Sequence, residues 1–330
     1  MMEPKIAVAG AGYWGKNLVR SFHELGALEM LVDVNADATR EMQTRFRGLK
    51  IESSFERVLT NPAIQGVVIA TPAVMHYTMA KQALQAGKHV FVEKPLALHL
   101  NEGRELVDLA RAQKKILMVG HILEYHPAFL KIREVIDAGA IGRLQYIYSS
   151  RLNFGKIRRE ENILWSFAPH DVALILRLVK EMPLQVVSMG GCYIQPNIAD
   201  VTVTQLLFNQ GVMGHIFVSW LNPFKEQRFV IVGSKKMIQF DDINKNLILH
   251  DLHVDVEHGE PTPIKGKGDP LEYSQDEPLK LECQAFLEAI RTGKPPLTDG
   301  ESGYRVLQVL HASQNSLSLQ GKPVLVDSLK

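Results

Sequence analysis

The sequence predicts an α/β protein of two domains, in which a doubly wound parallel sheet precedes an α+β domain with a large open, mostly antiparallel sheet. Two observations support this prediction. In the first third of the 330-residue chain, short apolar runs alternate with segments of helical period, as they do in βαβ units. After about residue 121, β-rich runs are joined by tight turns, which indicates consecutive hairpins.

The predicted strands of the first domain are apolar throughout, as expected for a parallel sheet with helices on both faces. Each strand is followed by a segment of helical period, so the elements form a βαβ series and one doubly wound sheet. We assign this domain to residues 1–121. Its strands are predicted at 6–9, 28–32, 67–70, 89–92 and 116–119, and its helices near 14–25, 37–47, 74–86 and 99–114.

The second domain, assigned to residues 122–330, has a helix near 127–138 followed by β-rich segments. Hairpin turns are predicted at 209–211 and 233–236, and consecutive hairpins imply a largely antiparallel sheet. The segment 259–278 is rich in Gly, Pro and charged residues, and we expect an exposed loop there. Strands are predicted at 144–152, 185–194, 201–208, 212–220, 227–232 and 237–240, and closing helices near 279–291 and 300–319.

Composition excludes several classes of protein. Hydrophobic residues make up 46% and charged residues 22% of a chain of net charge +1, which is typical of soluble globular proteins and excludes disordered and fibrous ones. The positive charges are scattered, so nucleic acid is not an expected partner. No signal-type or membrane-spanning segment is found, and we expect a cytoplasmic protein. Cys192 and Cys283 lack metal-site spacing, so no metal site is predicted and both thiols are expected to be reduced and buried.

A glycine-rich turn follows the first strand and opens the first helix, with the sequence Gly10-Ala11-Gly12-Tyr13-Trp14-Gly15. In this context backbone N–H groups and a helix N-terminus hold a pyrophosphate, as in Rossmann-type domains. Gly10 permits the tight turn, Gly12 lets the backbone approach phosphate, and Gly15 permits close packing of helix and strand. The predicted dinucleotide contacts are Gly10, Gly12, Tyr13, Trp14, Gly15 and Asp33.

Asp33 follows the second apolar run, where a carboxylate can accept hydrogen bonds from the adenosine ribose hydroxyls. The same negative charge repels the 2′-phosphate of NADP, and no Arg follows in Asp33-Val34-Asn35-Ala36. We therefore expect NAD as the cofactor, with NADP disfavoured.

Two further segments, 70–76 and 93–95, lie at the ends of the third and fourth predicted strands. Ligands bind at this position in open α/β sheets. An ammonium group at Lys94 beside a reacting hydroxyl would stabilise a developing alkoxide. Two simpler interpretations stay open: Lys94 as a solvated lysine paired with Glu93, and His76 as a helix-start residue that contacts no ligand. The residues assigned to the cofactor site here are Thr71, Pro72, His76, Glu93 and Lys94.

These segments make the chain similar to the glucose-fructose oxidoreductase and inositol dehydrogenase (Gfo/Idh/MocA) family over essentially its whole length. The resemblance implies a nucleotide-binding domain joined to an open-sheet substrate domain, and hydride transfer between a sugar or polyol carbinol and a nicotinamide. It also implies that Lys94 is catalytic. The matching residues are the turn 10–15, Ala70-Thr71-Pro72 with His76, the run 86–95, and the segments 290–295 and 298–300.

The second catalytic element implied by the resemblance is an Asp followed four residues later by a His, which places both side chains on one helical face. His170 matches the histidine, but Ser166 stands at the aspartate position. Asp171 does not replace it, because adjacent helical residues point about 100° apart. An unperturbed histidine has a pKa near neutrality, so His170 is predicted to take the hydroxyl proton as hydride leaves; a core or helix-capping histidine is the alternative.

Substrate contacts are predicted at the domain junction and in the loop 153–162. Tyr125 and His126 can bind sugar hydroxyls, although packing between the domains explains them equally well. The guanidinium groups of Arg158 and Arg159 suit a carboxylate or phosphate. The full set of predicted substrate contacts is Lys94, Tyr125, His126, Arg158, Arg159, Trp165 and His170.

This loop and the segment 165–171 resemble family members that oxidise the 3-hydroxyl of UDP-N-acetylglucosaminuronate, so the predicted substrate is a UDP-linked N-acetylhexosaminuronate. An inositol, another polyol or a free sugar is the first alternative. The second alternative is a catalytically silent NAD-binding sensor or regulator, an idea that Ser166 keeps open. Family members commonly assemble through one face of the large sheet, so we expect a homodimer or homotetramer.

Overall fold

The computed structural model describes residues 3–256 and 259–326. Within these ranges, no helix has both the length and the apolar character needed to cross a membrane. The chain divides into two compact units. The first ends at Tyr125 and includes Asp276–Leu307; the second comprises His126–Gln275 and resumes at Gln308.

The first unit is built on a six-stranded parallel sheet in the order β3-β2-β1-β4-β5-β6, which is a doubly wound topology. The predicted fold class is confirmed for this unit. Its strands are β1 (Ile6–Ala9), β2 (Leu28–Val32), β3 (Lys50–Glu52), β4 (Gly66–Ile69), β5 (His89–Glu93) and β6 (Leu117–Gly120). Its first five helices are α1 (Gly15–Glu24), α2 (Ala36–Arg45), α3 (Phe55–Thr60), α4 (His76–Gln85) and α5 (Leu100–Ala112).

The second unit is built on a nine-stranded sheet in the order β14-β13-β12-β11-β7-β10-β9-β8-β15. Only β7 and β10 pair in parallel among its described strands, so the predicted mostly antiparallel sheet is confirmed. The elements from residue 127 onward are α6 (Pro127–Asp137), β7 (Leu144–Phe154), α7 (Ile163–Val179), β8 (Gln185–Gly191), β9 (Val201–Leu207), β10 (Met213–Ser219), β11 (Leu221–Gly233), β12 (Met237–Asp241), β13 (Asn246–Asp255), β14 (Thr262–Pro270), α8 (Pro278–Thr292), α9 (Gly300–Ser318) and β15 (Val324–Leu325).

The domain boundary predicted after residue 121 differs from the observed division, because α8 belongs to the first unit. Phe286 of this helix packs edge-on against Phe22 and Phe91, with ring centroids 6.4 and 5.7 Å apart. Burial of these three rings holds α8 against the doubly wound sheet. The change of strand pattern near residue 121 does not indicate that a later helix, α8, packs on the first unit.

The segment predicted as an exposed loop, 259–278, contains β14, so that prediction is corrected. Its nine strand residues are all exposed, and they form the edge of the sheet by pairing with β13. Pro and Gly are tolerated at an edge because one side of the strand needs no hydrogen-bonded partner. The composition therefore indicated exposure correctly but not the strand.

The two cysteines differ in exposure. Both are free thiols; Cys283 on α8 is fully buried, as predicted, whereas Cys192 is exposed and corrects the prediction for that residue. Cys192 directly follows β8, where the chain leaves the sheet.

Candidate active site

The glycine-rich turn between β1 and α1 has the geometry that a pyrophosphate requires. Gly10 has φ = 101°, and a Cβ there would lie 2.7 Å from the carbonyl oxygen of Ala70. A Cβ at Gly15 would overlap the carbonyl of Gly10, whereas one at Gly12 would meet nothing within 4 Å. The first and last glycines are therefore required by packing, and the middle one leaves open space over the backbone for a ligand.

The N-terminus of α1 is also open to an anion. No side chain caps it, and its first turn carries no acidic residue. The positive end of the helix dipole can thus act on a bound phosphate. Within the turn, Tyr13 is 94% exposed and Trp14 is 37% exposed, so both rings are available to a ligand.

Asp33, at the end of β2, is fixed against the turn by two backbone donors. The N–H of Ala11 donates to its Oδ2 at 2.6 Å, and the N–H of Asn35 donates to its Oδ1 at 2.8 Å. Carboxylate oxygens can accept further hydrogen bonds, so these contacts leave Asp33 able to bind ribose hydroxyls. The pair of contacts places its negative charge beside the dinucleotide turn.

Glu93, the last residue of β5, connects the turn to the Lys94 segment. The indole N–H of Trp14 donates to its Oε1 at 2.6 Å, and the backbone N–H of Lys94 donates to its Oε2 at 3.3 Å. A Cβ at Gly120, its partner on β6, would lie 2.7 Å from Oε2, so only glycine leaves room for this carboxyl.

Burial raises the pKa of Glu93 to about 7, even though the Trp14 hydrogen bond and the Lys94 charge act in the opposite direction. The carboxyl therefore changes charge near neutral pH, directly beside Lys94. A further acid, Glu282 on α8, is fully buried, and burial together with the charges of Glu93 and Glu124 raises its pKa well above the usual range.

His76, the first residue of α4, is 1% exposed and contacts two backbone carbonyls. Its Nδ1 lies 2.7 Å from the carbonyl oxygen of Pro95, and its Nε2 lies 2.9 Å from that of Thr71. Both ring nitrogens are thus occupied within the chain. The ring contacts the two segments assigned to the cofactor site, and a contact of His76 with the cofactor itself stays a prediction.

Lys94 is half-buried, and the peptide bond that joins it to Pro95 is cis. The segment follows β5 at the carboxyl edge of the sheet, next to the end of β4, which in turn lies beside β1. The first unit therefore brings the glycine turn, Thr71, Glu93 and Lys94 to one edge, as predicted.

In the second unit, His170 lies on α7 and is half-buried. The next residue, Asp171, is fully buried and accepts a hydrogen bond from Ser149 at 2.5 Å. The guanidinium of Arg151 donates to both Asp171 oxygens at 3.0 Å. Asp171 thus joins α7 to β7, which fits the expectation that it does not replace the family aspartate. Ser166, at that position, is 5% exposed.

Trp165 is held on the same helix by contacts with α9. Its indole N–H donates to Oε1 of Gln314 at 3.1 Å, and its ring packs edge-on against His311 at 5.2 Å. The side chain of Asn162, which caps α7, also donates to Gln314 at 2.9 Å. The indole N–H is therefore occupied within the unit, and only the partly exposed ring is left for a substrate.

Two predicted substrate contacts, Tyr125 and His126, have partners within the chain. Tyr125 is 4% exposed, and its hydroxyl lies 3.3 Å from the hydroxyl of Thr298. His126 is 7% exposed; its Nδ1 accepts from the N–H of Ala128 at 3.1 Å and so caps α6. Both side chains take part in packing within their own units, and their contact with a sugar stays a prediction.

The two loop arginines have different surroundings. The guanidinium of Arg158 pairs with Glu161 at 3.2 Å, whereas Arg159 is exposed. A carboxylate ligand would have to compete with Glu161 for Arg158, so Arg159 is the better candidate of the two.

Comparisons with known proteins agree with this arrangement. Residues 4–121 match a family model described as an oxidoreductase family with an NAD-binding Rossmann fold, and residues 129–239 match the GFO/IDH/MocA C-terminal domain. The chain belongs to the Gfo/Idh/MocA oxidoreductase family. The first unit is its NAD-binding domain, and the resemblance predicted from the sequence is confirmed.

Relatives of known activity align over nearly their whole length. UDP-N-acetylglucosamine 3-dehydrogenase of Acidithiobacillus ferrooxidans is 25% identical over 93% of this chain and 95% of its own, and its solved structure superposes with a TM-score of 0.86 over 97% and 99% of the two chains. The scyllo-inositol 2-dehydrogenase (NAD⁺) of Bacillus subtilis is 28% identical over 98% and 97%. Levoglucosan dehydrogenase, solved with NADH, shares the fold at 20% identity with a TM-score of 0.84 over 98% and 100% of the two chains. As a member of this family, the chain is an NAD-binding oxidoreductase that acts on CH–OH groups.

NAD fits the residues present. The open space over Gly12 and the uncapped N-terminus of α1 match the pyrophosphate. The Asp33 carboxylate matches the adenosine ribose. Sequence reasoning missed Arg151, which pairs with Asp171 next to His170, and Gly120, which leaves room for the carboxyl of Glu93. Arg151 is a lone cation inside a predicted strand, which signals a buried ion pair, but no sequence signal identifies its partner.

Proposed function

We propose that this chain oxidises the 3-hydroxyl of a UDP-linked N-acetylhexosamine or its uronate, with NAD as the hydride acceptor. The supporting observation is the alignment, over nearly the whole of both chains, with a relative named UDP-N-acetylglucosamine 3-dehydrogenase. The uronate is the form predicted from the sequence, and it rests on the exposed guanidinium of Arg159.

Lys94 and His170 are the proposed catalytic residues. NAD, when bound, accepts the hydride from the carbinol carbon. The Lys94 ammonium stabilises the negative charge that develops on the substrate oxygen, and the imidazole of His170 takes the hydroxyl proton. That the two groups act on one carbinol is a prediction from the sequence and is part of this proposal.

The test is NADH formation, followed by absorbance, with a panel of UDP-N-acetylglucosamine, UDP-N-acetylglucosaminuronate, scyllo-inositol and free glucose. We expect turnover with the UDP sugars, a roughly 10³-fold lower kcat for Lys94→Met, and a roughly 10²-fold lower kcat for His170→Asn. Lys180→Met is the matched control, because this exposed lysine pairs with Asp137 on the surface. Equal kcat values for Lys94→Met and the control would contradict the assigned role of Lys94.

The uronate is tested by one substitution. Arg159→Gln should raise KM for the uronate while leaving KM for UDP-N-acetylglucosamine unchanged, because only the uronate has the carboxylate. Arg158→Gln is the comparison, since its guanidinium is already paired with Glu161. If turnover prefers an inositol and neither substitution changes it, the polyol alternative replaces the proposal.

The sensor alternative rests on Ser166 in place of the family aspartate. It predicts tight NADH binding, measured by fluorescence, without turnover of any compound in the panel. Ser166→Asp separates the two ideas further: restored turnover in a previously silent protein would assign the loss of activity to this position.

We also propose that the chain forms a homodimer or homotetramer through one face of the nine-stranded sheet. The paired residues Met189 and Val203 are 59% and 43% exposed, and Met213 on β10 is 38% exposed. Apolar side chains grouped on an open sheet are typical of an interface. Light scattering after size exclusion should give two or four times the chain mass of 37.0 kDa, and Val203→Lys should lower it.

A further inference from the structure

The buried ring of His76 links the two segments at the carboxyl edge of the first unit. Its Nδ1 lies 2.7 Å from the carbonyl oxygen of Pro95, directly after Lys94, and its Nε2 lies 2.9 Å from that of Thr71. The ring is 1% exposed, so both contacts are shielded from bulk water. Its backbone is the start of α4, so the ring projects from a regular element rather than from a loop.

The two contacts are chemically unequal. Carbonyl oxygens only accept hydrogen bonds, so each ring nitrogen would need a hydrogen, whereas a neutral imidazole carries one. Burial lowers the pKa of His76 and the positive charge of Lys94 acts in the same direction, whereas the two carbonyl contacts raise it. The net effect is a lowered pKa, so the doubly protonated ring is disfavoured. A single hydrogen must therefore serve one carbonyl, and the shorter contact is the one to Pro95.

We propose that His76 is a positioning residue for Lys94: its Nδ1–H donates to the carbonyl of Pro95 and thereby fixes the backbone that carries the ammonium. The kinetic part of this proposal rests on the function proposed above. A misplacement of about 1 Å at a reacting group can lower turnover roughly 10²-fold, so a single buried hydrogen bond at this point has a large effect.

Two substitutions distinguish the two ring nitrogens. In His76→Asn the amide N–H₂ lies near the position of Nδ1 and can still donate to Pro95. In His76→Gln it lies near the position of Nε2 and can reach only Thr71. We expect kcat to stay within about threefold of wild type for the Asn variant and to fall roughly 10²-fold for the Gln variant. The Kd for NADH should be similar in both.

A merely structural role would give a different pattern. It would lower the free energy of unfolding in both variants, and kcat and the affinity for NADH would change together. His89→Gln is the matched control: His89 begins β5 at the opposite edge of the sheet, and its Nδ1 accepts from the backbone N–H of Ile116 at 3.0 Å. That control should retain wild-type kcat. Equal loss of kcat in the Asn and Gln variants would overturn the proposal.

Two measurements test His76 without turnover, so they remain decisive if no sugar is oxidised. The ¹⁵N shifts of labelled histidine, assigned with the Gln variant, should show a hydrogen on Nδ1 of His76 at neutral pH; a bare Nδ1 would refute the proposal. Competitive acetylation of lysines, read by mass spectrometry, should show altered Lys94 reactivity in the Gln variant and wild-type reactivity in the Asn variant. Unaltered Lys94 reactivity in the Gln variant would likewise count against it.

Discussion

Replacing Glu93 with Gln removes a carboxyl group whose ionisation is disfavoured by burial. The amide keeps an oxygen that can accept from Trp14, and it fits the space that Gly120 leaves. The substitution therefore changes the charge at the end of β5 while it preserves the shape.

The magnitude follows from the pKa of Glu93, which burial raises from 4.5 to about 7 in the folded protein. The folded chain keeps this proton between those two pH values, whereas the unfolded chain releases it. Stability should accordingly fall as pH rises from 4.5 to 7 and level off above, by about 3 kcal/mol in all. Because Gln does not titrate, the free energy of unfolding of Glu93→Gln relative to wild type should rise by that amount over the same window.

The assay is urea unfolding of the cofactor-free protein from pH 5 to 8, followed by tryptophan fluorescence and circular dichroism. Glu288→Gln is the control, because Glu288 lies exposed on α8 and pairs with Arg291. Its curve should run parallel to the wild-type curve. A parallel curve for Glu93→Gln as well would refute the assignment of a raised pKa to Glu93.

Other predictions concern the cofactor turn and α7. Asp33→Ser should lower the affinity for NADH by about 1.5–3 kcal/mol and improve the use of NADP, measured as the ratio of kcat/KM for the two cofactors, because the negative charge is lost. Gly15→Ala should abolish NADH binding, measured by fluorescence, because a Cβ overlaps the carbonyl of Gly10. Asp171→Asn should lower the free energy of unfolding by roughly 3–5 kcal/mol, since it leaves the Arg151 charge without its buried partner. The measurement is urea unfolding, and a free energy of unfolding equal to that of wild type would contradict this prediction.

The fold of the first unit could be predicted because its signals are local. The strands β1, β2, β4, β5 and β6 and their helices follow from apolar runs and helical period, and the glycine turn follows from its place between β1 and α1. The short strand β3 and helix α3 were missed. Three and six residues are too few for a period to be recognised, and pairing with β2 stabilises β3.

Three of the predicted site residues have partners that the sequence could not show. Tyr125, His126 and His76 have side chains that can bind sugars or nucleotides, but in each case the polar atoms are taken up by partners within the chain. Residue type shows what a side chain can bind, whereas burial and neighbouring groups decide what it does bind. The position of Glu93 and Lys94 at the sheet edge was predictable because the carboxyl ends of parallel strands meet there.

The most direct test of the central claim uses UDP-N-acetylglucosamine carrying deuterium on carbon 3, incubated with NAD and the purified protein. We predict that mass spectrometry finds the deuterium on the nicotinamide ring of the reduced cofactor and a 3-keto sugar as the other product. Reduced cofactor without deuterium would place the oxidised carbon elsewhere, and no reduced cofactor from any nucleotide sugar, uronate or polyol would contradict the dehydrogenase proposal itself.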